Sequence, residues 1–156
     1  MKKKWIAGFM MALCLTTCSA CSLPFDLPFD VPFLNTSKEV SVKCATVENK
    51  TEDMVAIRVT DAEENTMFVD VMKSLQTGGA LTFTQDAQGM VTSVNGKENA
   101  ADWSACWMLY TSDTELSTTE WGGYDYDGVT LGSASFGADM LPVKNGEVYI
   151  WVYTSF

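Results

Sequence analysis

Lys144-Asn145-Gly146-Glu147-Val148-Tyr149-Ile150-Trp151-Val152-Tyr153 is the stretch that decides the fold. Lys144-Asn145-Gly146 is turn chemistry, and a strand follows it, because Val148, Ile150 and Val152 alternate with Tyr149, Trp151 and Tyr153. Period two puts one set on each side of a sheet. Both sets are bulky and apolar, so the strand is expected to be central, or covered on both faces.

The same period recurs upstream. Val40, Val42 and Cys44 alternate with Glu39, Ser41 and Lys43, and Val55, Ile57 and Val59 alternate with Ala56, Arg58 and Thr60. These read as two half-buried strands. The polar run of residues 48–53 between them would be the turn of a hairpin. The pattern then changes: Phe68, Val71, Met72 and Leu75 fall at i, i+3, i+4 and i+7, the helical period. Asn65 or Thr66 is expected to cap this helix and Gly78-Gly79 to end it. Strand-like runs follow at residues 81–83, 90–94 and 106–110, with an Asn95-Gly96 turn among them. Two strands, a short helix and then several strands make an α+β domain. Its mixed sheet is expected to carry the helix across one face, since so short a helix needs that support.

The amino terminus carries an address. Lys2, Lys3 and Lys4 precede an apolar run over residues 5–15, which ends in Leu15-Thr16-Thr17-Cys18-Ser19-Ala20-Cys21. A basic start, a short apolar run and a small-residue exit read as a secretory signal peptide over residues 1–20. The run falls short of the ~20 residues a spanning helix needs. The end resembles a bacterial lipobox. That resemblance implies a diacylglyceryl group on Cys21, with Cys18 as the alternative, cleavage just before it, and a lipoprotein anchored on the extracytoplasmic face of the cell membrane. A plain signal peptide without lipid is the rival reading. Residues 21–37 then repeat Leu/Val-Pro-Phe-Asp at a period of four, with Pro24, Pro28 and Pro32 spacing Phe25, Phe29 and Phe33. Proline-rich sequence of this kind is an extended, semi-stiff linker, and it leaves residues 38–156 as the folded domain.

Composition excludes much chemistry. The chain has no histidine, so Ser-His-Asp and Cys-His catalysis and histidine-bearing metal sites are absent. Seven basic and twenty acidic residues follow residue 20, leaving the mature chain at −13. Such a body repels nucleic acid and anionic headgroups and tolerates cationic partners. No metal site is expected. Cys44 and Cys106 either pair in a disulfide, which an exported domain can keep, or stay free thiols.

Four pieces taken in order carry a family resemblance: Phe68-Val69-Asp70-Val71-Met72, the run Met90 to Gly96, Cys106-Trp107-Met108-Leu109-Tyr110, and the ending from Leu141 to Tyr153. Together they resemble the transcobalamin-like C-terminal domain, the β domain of intrinsic factor and transcobalamin, found alone on bacterial surface lipoproteins. The resemblance implies a β-grasp-like fold and ligand capture, with a corrinoid such as cobalamin among the ligands. The large helical partner domain of the vitamin carriers and a cobalt-ligating histidine have no counterpart here. Thr111-Ser112-Asp113 stands where the family has Asn-Gly.

Glu120-Trp121-Gly122-Gly123-Tyr124-Asp125-Tyr126-Asp127-Gly128 packs three aromatics, three acids and three glycines into nine residues and reads as a loop. Its Trp121, Tyr124 and Tyr126, with Trp103 at a rim, are the candidate ligand-binding residues; Trp107 belongs to the core. No carboxylate pair stands out for glycoside chemistry, so the expectation is a non-catalytic ligand-binding or adhesion module at the cell surface. The alternative is a structural or assembly subunit that docks on another surface protein.

Overall fold

The computed structural model describes residues 40–156. The expected signal peptide over residues 1–20, Cys18, Cys21 and the expected linker lie outside the described residues. The described chain is an α+β domain. Strands β1 (Val40–Val42), β2 (Ala45–Lys50) and β3 (Met54–Val59) precede helix α1 (Phe68–Thr77). Then come β4 (Phe83–Gln85), β5 (Val91–Val94), β6 (Lys97–Glu98), β7 (Ala105–Thr111), β8 (Ser117–Tyr126), β9 (Val129–Ala134) and β10 (Val148–Ser155). Seven strands form one sheet in the order β1-β2-β3-β10-β7-β9-β8, and β4-β5-β6 form a second, small one. The expected mixed sheet is corrected: every pairing between the described strands is antiparallel. Among the described residues no helix is long and apolar enough to cross a membrane.

β10 sits at the centre, between β3 and β7. Its odd-numbered residues Tyr149 and Trp151 join Val55, Ile57, Val59, Trp107 and Leu109 in the main core under α1. Its even-numbered residues Val148 and Ile150 join Ala56, Tyr110 and Leu131 in a second core on the other face. The alternation read from the sequence is thus the two-faced burial of a central strand. α1 lays Phe68, Val71, Met72 and Leu75 into the main core, all fully buried, with Phe68 stacked on Tyr149 at 4.8 Å between ring centroids.

Both helix ends are held, but only one as expected. At the C-terminus Gly79 takes φ 74, and Gly79 and Ala80 donate back to the carbonyls of Gln76 and Leu75, which is a Schellman closure. At the N-terminus neither Asn65 nor Thr66 caps. Met67 occupies the cap position without a side-chain bond, and Thr66 Oγ1 donates to the Glu63 carbonyl instead. The free helical N–H groups of Phe68 and Val69 are satisfied from elsewhere, by the carbonyls of Leu141 and Ala138. A tertiary segment does what a side chain was expected to do.

Two other expectations change. The run Val40 to Cys44 is not one strand: the chain turns at Lys43-Cys44, so that Val42 pairs with Ala45. Residues 48–50 are not turn but the end of β2, carried there by a bulge at Val47/Asn49. The Asn95-Gly96 turn stands, with both residues at positive φ.

Cys44 and Cys106 are free, which corrects the disulfide alternative. Cys44 ends the β1–β2 turn and packs against the main core. Cys106 lies on β7, three strand spacings from β2, or about 14 Å. Its Sγ is 3.8 Å from Sδ of Met108, which packs against the second core. A disulfide needs Cα atoms within about 7 Å, and these two thiols lie on distant strands and on opposite faces. Burial also pushes the Cys106 thiol above the ordinary range, so it stays protonated and unreactive at neutral pH. Peptide mapping without reductant is expected to find Cys44 and Cys106 each singly alkylated. Native-state alkylation of Cys106 should be slow near pH 7 and accelerate as alkali forms the thiolate. A Cys44–Cys106 cross-linked peptide would contradict this.

Candidate functional site

Strand pairing opens a cleft beside β7. β10 pairs with β7 along all seven residues, from Tyr149↔Thr111 to Ser155↔Ala105. β9 pairs with it only through Tyr110↔Ser133 and Thr111↔Gly132. Beyond Ser133 the chain leaves β7. Ser135 bonds Leu116 through its N–H, and Met140 closes a turn onto Gly137. The wedge between the first half of β7 and this departing segment has a volume of about 490 Å³.

The floor is the buried surface of Trp107, Leu109 and Trp151. Both floor indoles have their N–H groups occupied, Trp107 Nε1 by the Lys97 carbonyl at 2.7 Å and Trp151 Nε1 by Met72 Sδ at 3.4 Å. They therefore present carbon surface to the cleft. The walls and rim are formed by Met90, Trp103, Trp121, Phe136 and Met140. These are five of the seven large apolar side chains left exposed among the described residues. Scattered single exposures need no explanation, whereas five gathered on one concavity mark a binding surface.

Each rim residue is placed by its own local device. The small sheet is fastened to β7 through Asn99, whose Oδ1 accepts the Trp107 N–H at 2.9 Å and whose Nδ2 donates to the Val91 carbonyl at 3.1 Å. Lys97 fastens the same sheet from the other side, pairing with Asp53 and lying 4.2 Å over the Tyr153 ring. The hydrogen bond to Asp53 holds Lys97 above the ordinary lysine range. Trp103 sits in a tight turn, its N–H bonded to the Ala100 carbonyl, at φ 61. A tryptophan in the left-handed region is strained by about 1–3 kcal/mol. It nevertheless remains 52% exposed, so burial does not account for its being there. The wall from Phe136 to Met140 is tied to α1 by the two bonds that cap the helix.

Residues 120–128 correct the loop reading. They run along β8 into a two-residue turn, Asp127-Gly128, with φ 49 and 78, and return as β9. Both central residues at positive φ suit the twist of a tight hairpin. A bulge between Thr118 and Gly123 interrupts the pairing beside Trp121. Regular pairing resumes where Gly123 faces Gly132. A Cβ on Gly132 would come within 2.7 Å of Ser117 Oγ, so only glycine fits.

The bulge and the regular strand after it separate the predicted site residues. Trp121 points into the cleft and is 71% exposed. Tyr124 and Tyr126, past the bulge, pack against the second core, Tyr124 with its ring 5.7 Å from Tyr110. The tip of the hairpin folds over β3, where Tyr126 and Asp127 line a small pocket of about 160 Å³ with Arg58 and Val148. Burial pushes the Tyr126 phenol up. Arg58 is paired with Glu48, which holds it above its ordinary range. Thus the structure brings Trp103 and Trp121 together and sets Tyr124 and Tyr126 apart as packing residues. It adds Met90, Phe136 and Met140, which no sequence pattern singles out. Among the described residues no group of three or more cysteine, aspartate or glutamate side chains is placed to hold a metal ion.

Compared with protein-family models, with characterised proteins and with solved structures, the chain matches none.

Proposed function

We propose that this chain is a non-catalytic ligand-binding module, exported and held at a bacterial surface by a lipid on Cys21 or Cys18, and that it captures a small molecule in the cleft beside β7. The carrying observation is the gathering of Met90, Trp103, Trp121, Phe136 and Met140 around one apolar concavity whose floor indoles are already hydrogen-bonded. Its volume of about 490 Å³ falls within the range of small-molecule sites. Methionine adds adaptable, polarisable surface to the rigid aromatic rings. Kinship with the transcobalamin-like domain, and with it a β-grasp-like ancestry, is part of this reading. It is supported by the four ordered sequence pieces and by a helix lying across one face of the sheet. A corrinoid would have to lie across the exposed tryptophans rather than inside the cleft.

The test is a titration of the protein against flat apolar molecules, corrinoids included, followed by tryptophan emission. Saturable emission changes are expected. No response from the whole panel, together with a single dominant protein adduct when intact cells are cross-linked, would replace ligand capture with docking on another surface protein. Mass spectrometry of the membrane-extracted protein should find an acylated cysteine at its new amino terminus.

A further inference from the structure

The cleft also carries a charge preference, and this inference rests on reading the cleft as a ligand site. No lysine or arginine lines it, and none lines the adjoining hollow of about 320 Å³ that shares Asn99 and Trp103 with it. Their charged side chains are Asp139 in the first and Glu98 in the second, both carboxylates, and the Cys106 thiol in the first is neutral. Asp102, next to Trp103, accepts bonds from Ser104 N–H and Oγ–H, which hold its carboxyl below the usual range and keep it charged. Glu120 precedes Trp121 in the chain. The lysine of β6, Lys97, is committed to Asp53 and the Tyr153 ring.

Exposed indole faces add to this field. The π face of tryptophan carries negative charge density and attracts ammonium groups, most strongly when water is excluded. Trp103 and Trp121 are the two most polarisable surfaces at the mouth, and both are open to solvent. An apolar floor, two indole faces and a rim whose charges are all negative are complementary to one ligand chemistry. We infer that the cleft takes an organic ammonium cation carrying an apolar body, which enters the wedge while the cation stays at the mouth, among Trp103, Trp121 and the rim carboxylates. The net charge of the mature chain, −13, acts in the same direction at long range.

Three probes sharing one ring test it: 1-naphthylmethylammonium, 1-naphthalenemethanol and 1-naphthylacetate. They are titrated calorimetrically into the full chain held in nanodiscs of zwitterionic lipid, with empty discs as the blank. At low salt the ammonium is expected to bind roughly tenfold tighter than the alcohol, and the acetate weakest. The advantage should shrink in Asp139→Asn with Glu98→Gln and at about 0.5 M salt, where screening shortens the reach of the rim charges. Alcohol and ammonium binding equally, both weakened by Trp121→Ala, would overturn the charge preference and leave the cleft standing as a ligand site. Ammonium binding untouched by Trp121→Ala would place it elsewhere and overturn both readings. So would the failure of all three probes to bind.

Discussion

Phe68→Ala is expected to lower the stability of the domain by about 3–5 kcal/mol, the range for deleting a fully buried aromatic side chain. Phe68 is fully buried and opens α1, where its ring stacks on Tyr149 of the central strand. Tyr149 is itself enclosed, and its hydroxyl accepts the Lys144 N–H at 3.0 Å. Alanine would leave a cavity at the one place where helix and sheet touch ring to ring. It would also slacken the helix start, whose N–H groups bond the carbonyls of Leu141 and Ala138. That segment is a wall of the cleft, so the variant should bind ligand more weakly even where it remains folded. Chemical denaturation checks the first effect, and titration of the folded fraction checks the second. A loss below about 1 kcal/mol would mean that α1 contributes little to the core.

The helix that carries Phe68 and the strand that carries Tyr149 are both legible in the sequence. Period two over residues 148–153 and period 3.6 over 68–75 are strong because each puts bulky apolar groups on a defined face. The two glycines after the helix and the Asn95-Gly96 turn are legible for a related reason, since positive φ is cheap for few residues. What the sequence hides is long-range. The helix N-cap is supplied by residues about seventy positions downstream, so the local Asn65 and Thr66 mislead. The antiparallel placement of β10 beside β3 leaves no local trace either.

Residues 120–128 are the more instructive error. Tyr124-Asp125-Tyr126-Asp127 alternates with period two, and Asp127-Gly128 is a strong hairpin signal. Gly122 and Gly123 weigh toward a loop and conceal the alternation, although Gly123 sits in the ladder opposite Gly132, where a Cβ would come within 2.7 Å of Thr130 Cγ2. Read as a strand from Gly123 onward, the stretch puts Tyr124 and Tyr126 on one face, while Trp121 lies in the bulge before it and is freed from that alternation. The rest of the site does not yield to such a reading. Met90 lies before β5 and Phe136 and Met140 after β9, and they meet only because β9 leaves β7 after two paired residues.

Trp103→Gly and Trp121→Ala should each weaken ligand binding by roughly thirtyfold or more, the scale of a tryptophan hot spot, and neither should cost stability. The combination matters more than the loss. Trp121 is 71% exposed, and removing so open a side chain typically moves stability by no more than about 0.5 kcal/mol. Trp103 is the sharper case. Its φ of 61 strains an L side chain, and glycine would relieve that strain at the expense of a more flexible unfolded chain. The two effects oppose each other at similar size, so Trp103→Gly is expected to leave stability unchanged or to raise it by up to about 1 kcal/mol. A tryptophan present for packing would behave the other way, losing about 3–5 kcal/mol on truncation. Denaturation midpoints and ligand titrations on the same preparations separate the two roles. If Trp103→Gly unfolds more readily and binds as tightly as before, the ring belongs to the fold and the rim of the cleft must be redrawn without it.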